Sequence, residues 1–231
     1  MSWRTNSLVL VLRNIGRSLG LNRWIASYLL GPGYETRYDN GFSNALRPGD
    51  CVWDVGANVG YYTQLFSERA GQAGRVFAFE PSPVNFDRLR TACASLANVT
   101  LLHSGLGRED GKLHFQQGTD DLGATSRIVE SESEGVIVDV RSGTSVIRRG
   151  EALAPNAIKI DVEGFEYEVL EGLGEYIQKS DLRVIGIEVH FGILKERGFP
   201  NVPEQIEDML NRNGFAVSWP DASHIIAVRS T

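Results

Sequence analysis

The chain has 231 residues, 42% hydrophobic and 23% charged, with a net charge of −6. That is apolar material for one sizeable soluble core, and one domain is the default at this length. The acidic balance argues against a nucleic-acid backbone as partner. Cys51 and Cys93, without metal-ligand spacing, exclude a disulfide framework and are expected as buried thiols in a reducing, cytoplasmic setting.

Residues 1–34 hold Arg4, Arg13, Arg17 and Arg23 and no acid, a charge of +4, so the remainder carries −10. The apolar run Leu8–Leu12 stops at Arg13, too short for a membrane span or a signal-peptide core. On a helix Leu8, Leu12, Ile15 and Leu19 share one stripe. Two readings follow: a helical extension packed on the domain or across a homodimer interface, or a basic amphipathic helix in peripheral membrane contact through residues 1–30. Residues 1–46 are set apart as this N-terminal extension or lid, and 47–231 as the main domain.

After the break at Gly31-Pro32-Gly33 and the turn Arg47-Pro48-Gly49-Asp50, strands and helices alternate. Strands are predicted at Cys51–Val55, Arg75–Phe79 and Val99–His103, with helices at Gly60–Ala70 and Pro83–Leu96. Lys112–Gln116 and Val136–Val140 read as a β-hairpin insertion around the polar segment Gln117–Gly135, a candidate lid. The alternation resumes with strand Ala157–Asp161, helix Phe165–Tyr176, strand Arg183–Val189 and helix Pro203–Asn213. Phe215–Ser218 and Ile225–Val228 close the chain as an antiparallel pair. Repeated strand–helix units imply an α/β, Rossmann-like fold: a mostly parallel sheet with helices on both faces and ligands beyond the carboxyl ends of the strands.

The first strand runs into Asp54-Val55-Gly56-Ala57-Asn58-Val59-Gly60. Glycines let a ligand approach the backbone, and the following helix presents free N–H groups. The carboxylate of Asp54 would repel a pyrophosphate, and the spacing is not G-x-G-x-x-G. S-adenosyl-L-methionine suits both features: it is a nucleoside without phosphates, bearing an ammonium and a sulfonium. Glu80 ends the second strand 20 residues after Gly60, where a carboxylate accepts ribose hydroxyls. Tyr61, Thr63, Ser82, Ser104 and Leu106 complete the expected cofactor set with Asp54, Gly56, Asn58, Gly60, Glu80 and Asp161.

Later strand ends add Asp161, Glu163, Glu188 and His190 to the same rim. Asp161 stands where methyl transfer would occur, Glu163 faces the acceptor, and Glu188 and His190 share a face of their strand. A carboxylate-oriented histidine takes a proton from an alcohol, so these four are the candidate catalytic residues. They are also donors a divalent cation could use, but without a compact ligand motif a metal is not favoured. Glu166 is read as an acid favouring a helix N-terminus.

Together, Pro48-Gly49-Asp50, the Asp54–Gly60 turn, Gly74–Pro81, Leu106-Gly107 and Ile158-Lys159-Ile160-Asp161-Val162-Glu163-Gly164 resemble the FkbM-type family of S-adenosylmethionine-dependent methyltransferases. The resemblance runs from about Arg47 to Glu188. It implies a class I methyltransferase fold, seven strands with one antiparallel. It also implies O-methylation of a small-molecule acceptor: a sugar, a glycolipid or a polyketide-type product. Gly123-Ala124-Thr125-Ser126 resembles the family's small-residue loop, whereas Ser142–Ile147 departs from its usual Leu-Asp-rich segment. A nicotinamide dehydrogenase is disfavoured by Asp54, N-methylation by the missing Asn/Asp-Pro-Pro-aromatic signature, and a non-catalytic cofactor-fold protein by the acidic rim. Carboxyl methylation stays open as an alternative.

Overall fold

The computed structural model describes residues 36–116, 127–129 and 136–230. The basic amphipathic segment, the Gly31-Pro32-Gly33 break and the Gly123–Ser126 loop lie outside the described residues, as does most of the polar stretch 117–135.

Seven strands form the main sheet: β1 (Cys51–Val55), β2 (Arg75–Phe79), β3 (Val99–Leu102), β8 (Ala157–Ile160), β9 (Val184–Glu188), β10 (Phe215–Ser218) and β11 (His224–Arg229). Their order is β10-β11-β9-β8-β1-β2-β3. β11 runs antiparallel to both neighbours, while the five strands from β9 to β3 are parallel. This is the predicted seven-stranded sheet with one antiparallel strand. β1 and β8 are buried along their whole length, because a parallel sheet is covered on both faces and its inner strands meet no water.

Helix α1 (Thr36–Ala45) and helix α2 (Tyr61–Ala70) cover one face. There Tyr38, Phe42, Phe66 and Ala70 pack on Val52, Ala157, Val184 and Ile226. On the other face Val146, Leu170, Ile206 and Leu210 pack on Trp53, Ile158, Ile160 and Ile185. These four come from α4 (Gly143–Arg148), α5 (Glu166–Gly172) and α7 (Val202–Arg212). Helix α3 (Pro83–Ala92) starts at Ser82, whose Oγ accepts from the Asn85 N–H at 3.4 Å. Val52 and Trp53 serve opposite cores because side chains alternate along a strand.

The same alternation positions the polar groups. Asp54, Lys159, Gly186 and Ile226 share one register row across β1, β8, β9 and β11. Two residues further on, on the same face, come Asp161, Glu188 and the paired His224. The chain reverses its direction of travel across the sheet between β1 and β8, so this rim sits at the topological switch point.

The insertion is larger than a hairpin. β5 (Gly111–Gln116) pairs antiparallel with β7 (Val136–Ser142), as expected, but β4 (Gly105–Gly107) and β6 (Arg127–Val129) add edges to make a second, four-stranded sheet. Three-residue strands carry no readable alternation, and β4 is two-thirds glycine. The helix expected over Phe165–Tyr176 stops at Gly172 and continues as a 3-10 turn over Gly174–Gln178, glycine being the weakest helix former short of proline. Helices α4 and α6 (Phe191–Glu196) had no clear sequence signal; six residues give less than two turns of periodicity. The helix expected over Pro83–Leu96 ends at Ala92. No helix among the described residues is long and apolar enough to cross a membrane. Cys51 and Cys93 are free and buried, and burial pushes their thiols up to about 12 and about 11.

Candidate functional site

The turn after β1 is held from the neighbouring strand. The N–H groups of Gly56 and Ala57 both donate to the Phe79 carbonyl at 3.0 Å. Gly56 has φ +78°, and a Cβ there would stand 1.8 Å from the carbonyl oxygen of Asp161. Glycine at 56 therefore lets the ends of β1 and β8 meet, a use beyond ligand approach. Asn58 adopts φ +51° and its N–H donates to Glu80 Oε2 at 2.8 Å. Its side-chain oxygen is buried without a hydrogen-bond partner among the described residues. Gly60, at φ +94°, is the N-cap of α2.

Asp54 is fully buried. Thr63 donates to its Oδ2 at 2.6 Å, and the Lys159 ammonium stands 3.3 Å from its Oδ1. Lys159 also donates to the Gly56 carbonyl at 3.0 Å and lies 3.5 Å from Asp161 Oδ2. Burial alone would lower the lysine pKa, but Asp54 and Asp161 outweigh it and the net direction is up. Lys159 thus stays an ammonium and compensates the two acids that flank the switch point. Asp54 meets a cation of the protein's own, which sequence reasoning did not foresee. The signal was a lysine inside an otherwise apolar strand, where an unpaired charge is costly.

Glu80 is buried, 4% exposed. Its Oε1 accepts from the Ser82 N–H at 2.9 Å and its Oε2 from the Asn58 N–H. Burial raises its pKa to about 7, with the two backbone donors pulling the other way. Of the remaining expected cofactor residues, Thr63 supports Asp54, and the Ser82 hydroxyl caps α3. Ser104 is buried, with its N–H on the Leu102 carbonyl. Leu106 packs into the main apolar core. Tyr61 is exposed and meets Tyr62 edge-on at 5.1 Å.

At the rim the structure brings three of the candidate catalytic residues around the imidazole of the fourth, His190. His190 is fully buried, and its Nε2 lies 3.2 Å from Glu163 Oε2, 3.5 Å from Asp161 Oδ1 and 3.9 Å from Glu188 Oε1. Its Nδ1 lies 2.5 Å from Glu166 Oε1, which also accepts from the Gly164 N–H at 2.9 Å. Glu166, read from sequence as a helix-terminus acid, is therefore the group that orients the histidine. Glu163 reaches the cluster from a left-handed backbone, φ +52°. Asp161 is raised in pKa, first by burial and then by Glu188, against Lys159 and His190.

A second imidazole faces the same rim. His224 Nδ1 is 2.9 Å from Asp221 Oδ1, and its Nε2 is 3.7 Å from Glu188 Oε2. The Tyr38 ring stacks on it at 4.3 Å. His224 was missed because β11 reaches the rim from the opposite direction, so it is the first residue of its strand and not the last. A cavity of about 520 Å³ lies against the insertion sheet, lined by Leu106, Gly107, Lys112, Val140, Phe165 and Phe199 among others and by none of the four rim residues.

The profile of the Methyltransferase FkbM domain matches residues 54–217. Hexuronic acid methyltransferase AglP of Haloferax volcanii is 33% identical, over 62% of this chain and 57% of that protein. The 31-O-demethyl-FK506 methyltransferase FkbM of Streptomyces tacrolimicus is 53% identical, over 69% of this chain and 76% of that one. The match to AglP thus spans less than two thirds of that relative. Among solved structures, methyltransferase FkbM from Methylobacillus flagellatus gives a TM-score of 0.55 at 19% identity, covering 80% of this chain and 45% of that one. The Geobacter metallireducens precorrin-6y C5,15-methyltransferase gives 0.52 at 16% identity, covering 85% and 88%. Both share the seven-stranded methyltransferase fold. Because the matched span contains the turn at Asp54, the segment from Asp161 to Glu166 and the strand end bearing Glu188 and His190, this chain belongs to the FkbM methyltransferase family.

Proposed function

We propose that this chain is an S-adenosylmethionine-dependent O-methyltransferase acting on a hydroxyl of a small molecule: a sugar, a glycolipid or a polyketide-type product. The observation that carries the reading is the pairing of two sites across the switch point: a nucleoside-type turn closed by Glu80, and beyond it a rim of carboxylates around His190. One named relative acts on a hexuronic acid and another on 31-O-demethyl-FK506, which supports oxygen as the acceptor atom.

The cofactor fits residues of this chain. Glu80 has lone pairs left for a ribose diol after its two backbone bonds, and the buried, unpartnered Asn58 Oδ1 is an acceptor awaiting a donor. When bound, the cofactor supplies an electrophilic methyl on a sulfonium. The chain holds the acceptor oxygen in line with it, and alignment contributes roughly 7–11 kcal/mol in favourable cases. The hydroxyl proton passes to a group in the set Asp161, Glu163, Glu188 and His190, adding about 10²–10⁴-fold.

Calorimetry with S-adenosylmethionine tests the donor half. Wild type binds it in preference to NADH, and Glu80→Ala lowers affinity at least about tenfold, the loss of one charged hydrogen-bond acceptor. Wild-type affinity in that variant removes Glu80 from the site. His190→Ala keeps cofactor affinity and loses turnover; unchanged turnover removes His190 from the rim's chemistry.

A further inference from the structure

The geometry points to a divalent-cation site formed by Asp161, Glu163 and His190, which binds the acceptor hydroxyl. This rests on the methyl-transfer reading and names the group that activates the acceptor at the same rim. One donor atom from each of the three residues lies within 4.8 Å of the other two. His190 Nε2 is 3.2 Å from Glu163 and 3.5 Å from Asp161. Ligands bound at about 2.1–2.4 Å and at right angles stand roughly 3.0–3.4 Å apart. The His190–Glu163 pair falls in that range and the His190–Asp161 pair just above it, close to the spacing of one coordination shell.

The second observation is the support behind the ring. Glu166 Oε1 lies 2.5 Å from His190 Nδ1, which turns Nε2 toward Glu163 and Asp161. A carboxylate behind the ring, fixing its tautomer, is the usual support of a metal-bound histidine, and Glu166 is itself fixed by the Gly164 N–H.

The third observation comes from α1. The Tyr38 hydroxyl is 2% exposed and has no hydrogen-bond partner among the described residues. It lies against β9, 2.5 Å from where a Cβ on Gly186 would be. Its ring stacks on His224 at 4.3 Å, and His224 Nε2 is 3.7 Å from Glu188 Oε2. A buried phenol beside this rim without a hydrogen-bond partner among the described residues calls for a polar ligand there.

The donor set, two carboxylates and one imidazole, suits a hard or borderline ion such as Mg²⁺ or Mn²⁺ over a thiophilic one. Asp161 and Glu163 stay 28% and 20% exposed, which leaves an open side for the acceptor oxygen. With His190 a ligand, the base is Glu188. The O–H bond breaks and its proton goes to Glu188. The oxygen forms a bond to the methyl carbon as the carbon–sulfur bond breaks, and the sulfonium becomes a neutral thioether.

The test titrates Mn²⁺ alone into the metal-stripped full chain, followed by electron paramagnetic resonance and calorimetry, with S-adenosylmethionine titrated separately. The expected result is one Mn²⁺ per chain with nitrogen hyperfine coupling from an imidazole. Glu163→Gln and His190→Ala weaken Mn²⁺ at least tenfold, the coupling vanishes in His190→Ala, and S-adenosylmethionine affinity shifts less than about threefold. Glu163→Gln is isosteric and partly exposed, so it decides the matter if His190→Ala does not fold. Cofactor binding without stoichiometric Mn²⁺ overturns the cation site, as does turnover undiminished by chelator, and the methyl-transfer reading then stands. Mn²⁺ binding that neither substitution weakens places the ion elsewhere and also overturns the site. Failure to bind S-adenosylmethionine overturns the parent reading, whatever Mn²⁺ does.

Discussion

Glu80 shows how one residue carries both fold and chemistry. Its two backbone bonds tie the turn after β1 to the start of α3, and its burial raises its pKa to about 7. The sign follows from linkage. Unfolded, the carboxyl titrates near 4.5; folded, it holds its proton up to about 7. Between those values the folded chain binds more protons, so this group's contribution to stability falls as pH rises through that window and levels off above it. A ribose diol donates to the ionised form, so binding runs the other way. Cofactor affinity weakens as pH drops below about 7, by up to tenfold per unit, and Glu80→Gln removes that component. Calorimetry between about pH 6 and pH 8 measures both, and a slope shared by wild type and Glu80→Gln rejects the assignment. Glu80 was legible because its strand, its distance from the glycines and its acid type coincide. Lys159 and Glu166 were not read for their roles, since each acts through a partner distant in sequence, Asp54 and His190.

Among the elements, α1 is the informative case. Phe42 is 1% exposed and meets Phe66 at 5.4 Å, while Gly186 on β9 leaves the space that Tyr38 and Phe42 occupy, a Cβ there coming within 2.7 Å of the Phe42 ring. The helix is thus part of the main core on that face. Phe42→Ala should cost about 3–5 kcal/mol, the range for emptying a buried phenylalanine site. Urea denaturation measures it, and a loss under about 1 kcal/mol refutes the packing role. The consequence for the site is that α1 sets Tyr38 against His224, beside Glu188. The main strands were readable because a parallel sheet demands long apolar runs. The short strands β4 and β6 and the helices α4 and α6 were not, because partners in space stabilise them more than any pattern of their own.

For the whole molecule, charge is unevenly spread: residues 1–34 carry +4 against −10 for the rest. We propose that this basic segment ahead of an acidic domain is attracted to an anionic surface bearing a lipid-linked acceptor, at about 1 kcal/mol per Lys or Arg near the membrane. Flotation with anionic vesicles should carry the full chain upward and leave a chain without residues 1–30 behind; equal behaviour of the two discards the membrane reading. By itself the sequence determined the strand–helix alternation, the switch-point turn and the residue types at the strand ends, because burial periodicity and glycine chemistry are local properties. It therefore pointed to the kind of ligand we propose for the turn and named the acids of the rim. Only the tertiary structure decided which of them touch. Parallel and antiparallel register set Lys159 between Asp54 and Asp161 and His224 beside Glu188, and a left-handed turn at Glu163 closed the ring around His190. Such pairings depend on strand order and on backbone reversals far apart in the chain, and no local pattern encodes them.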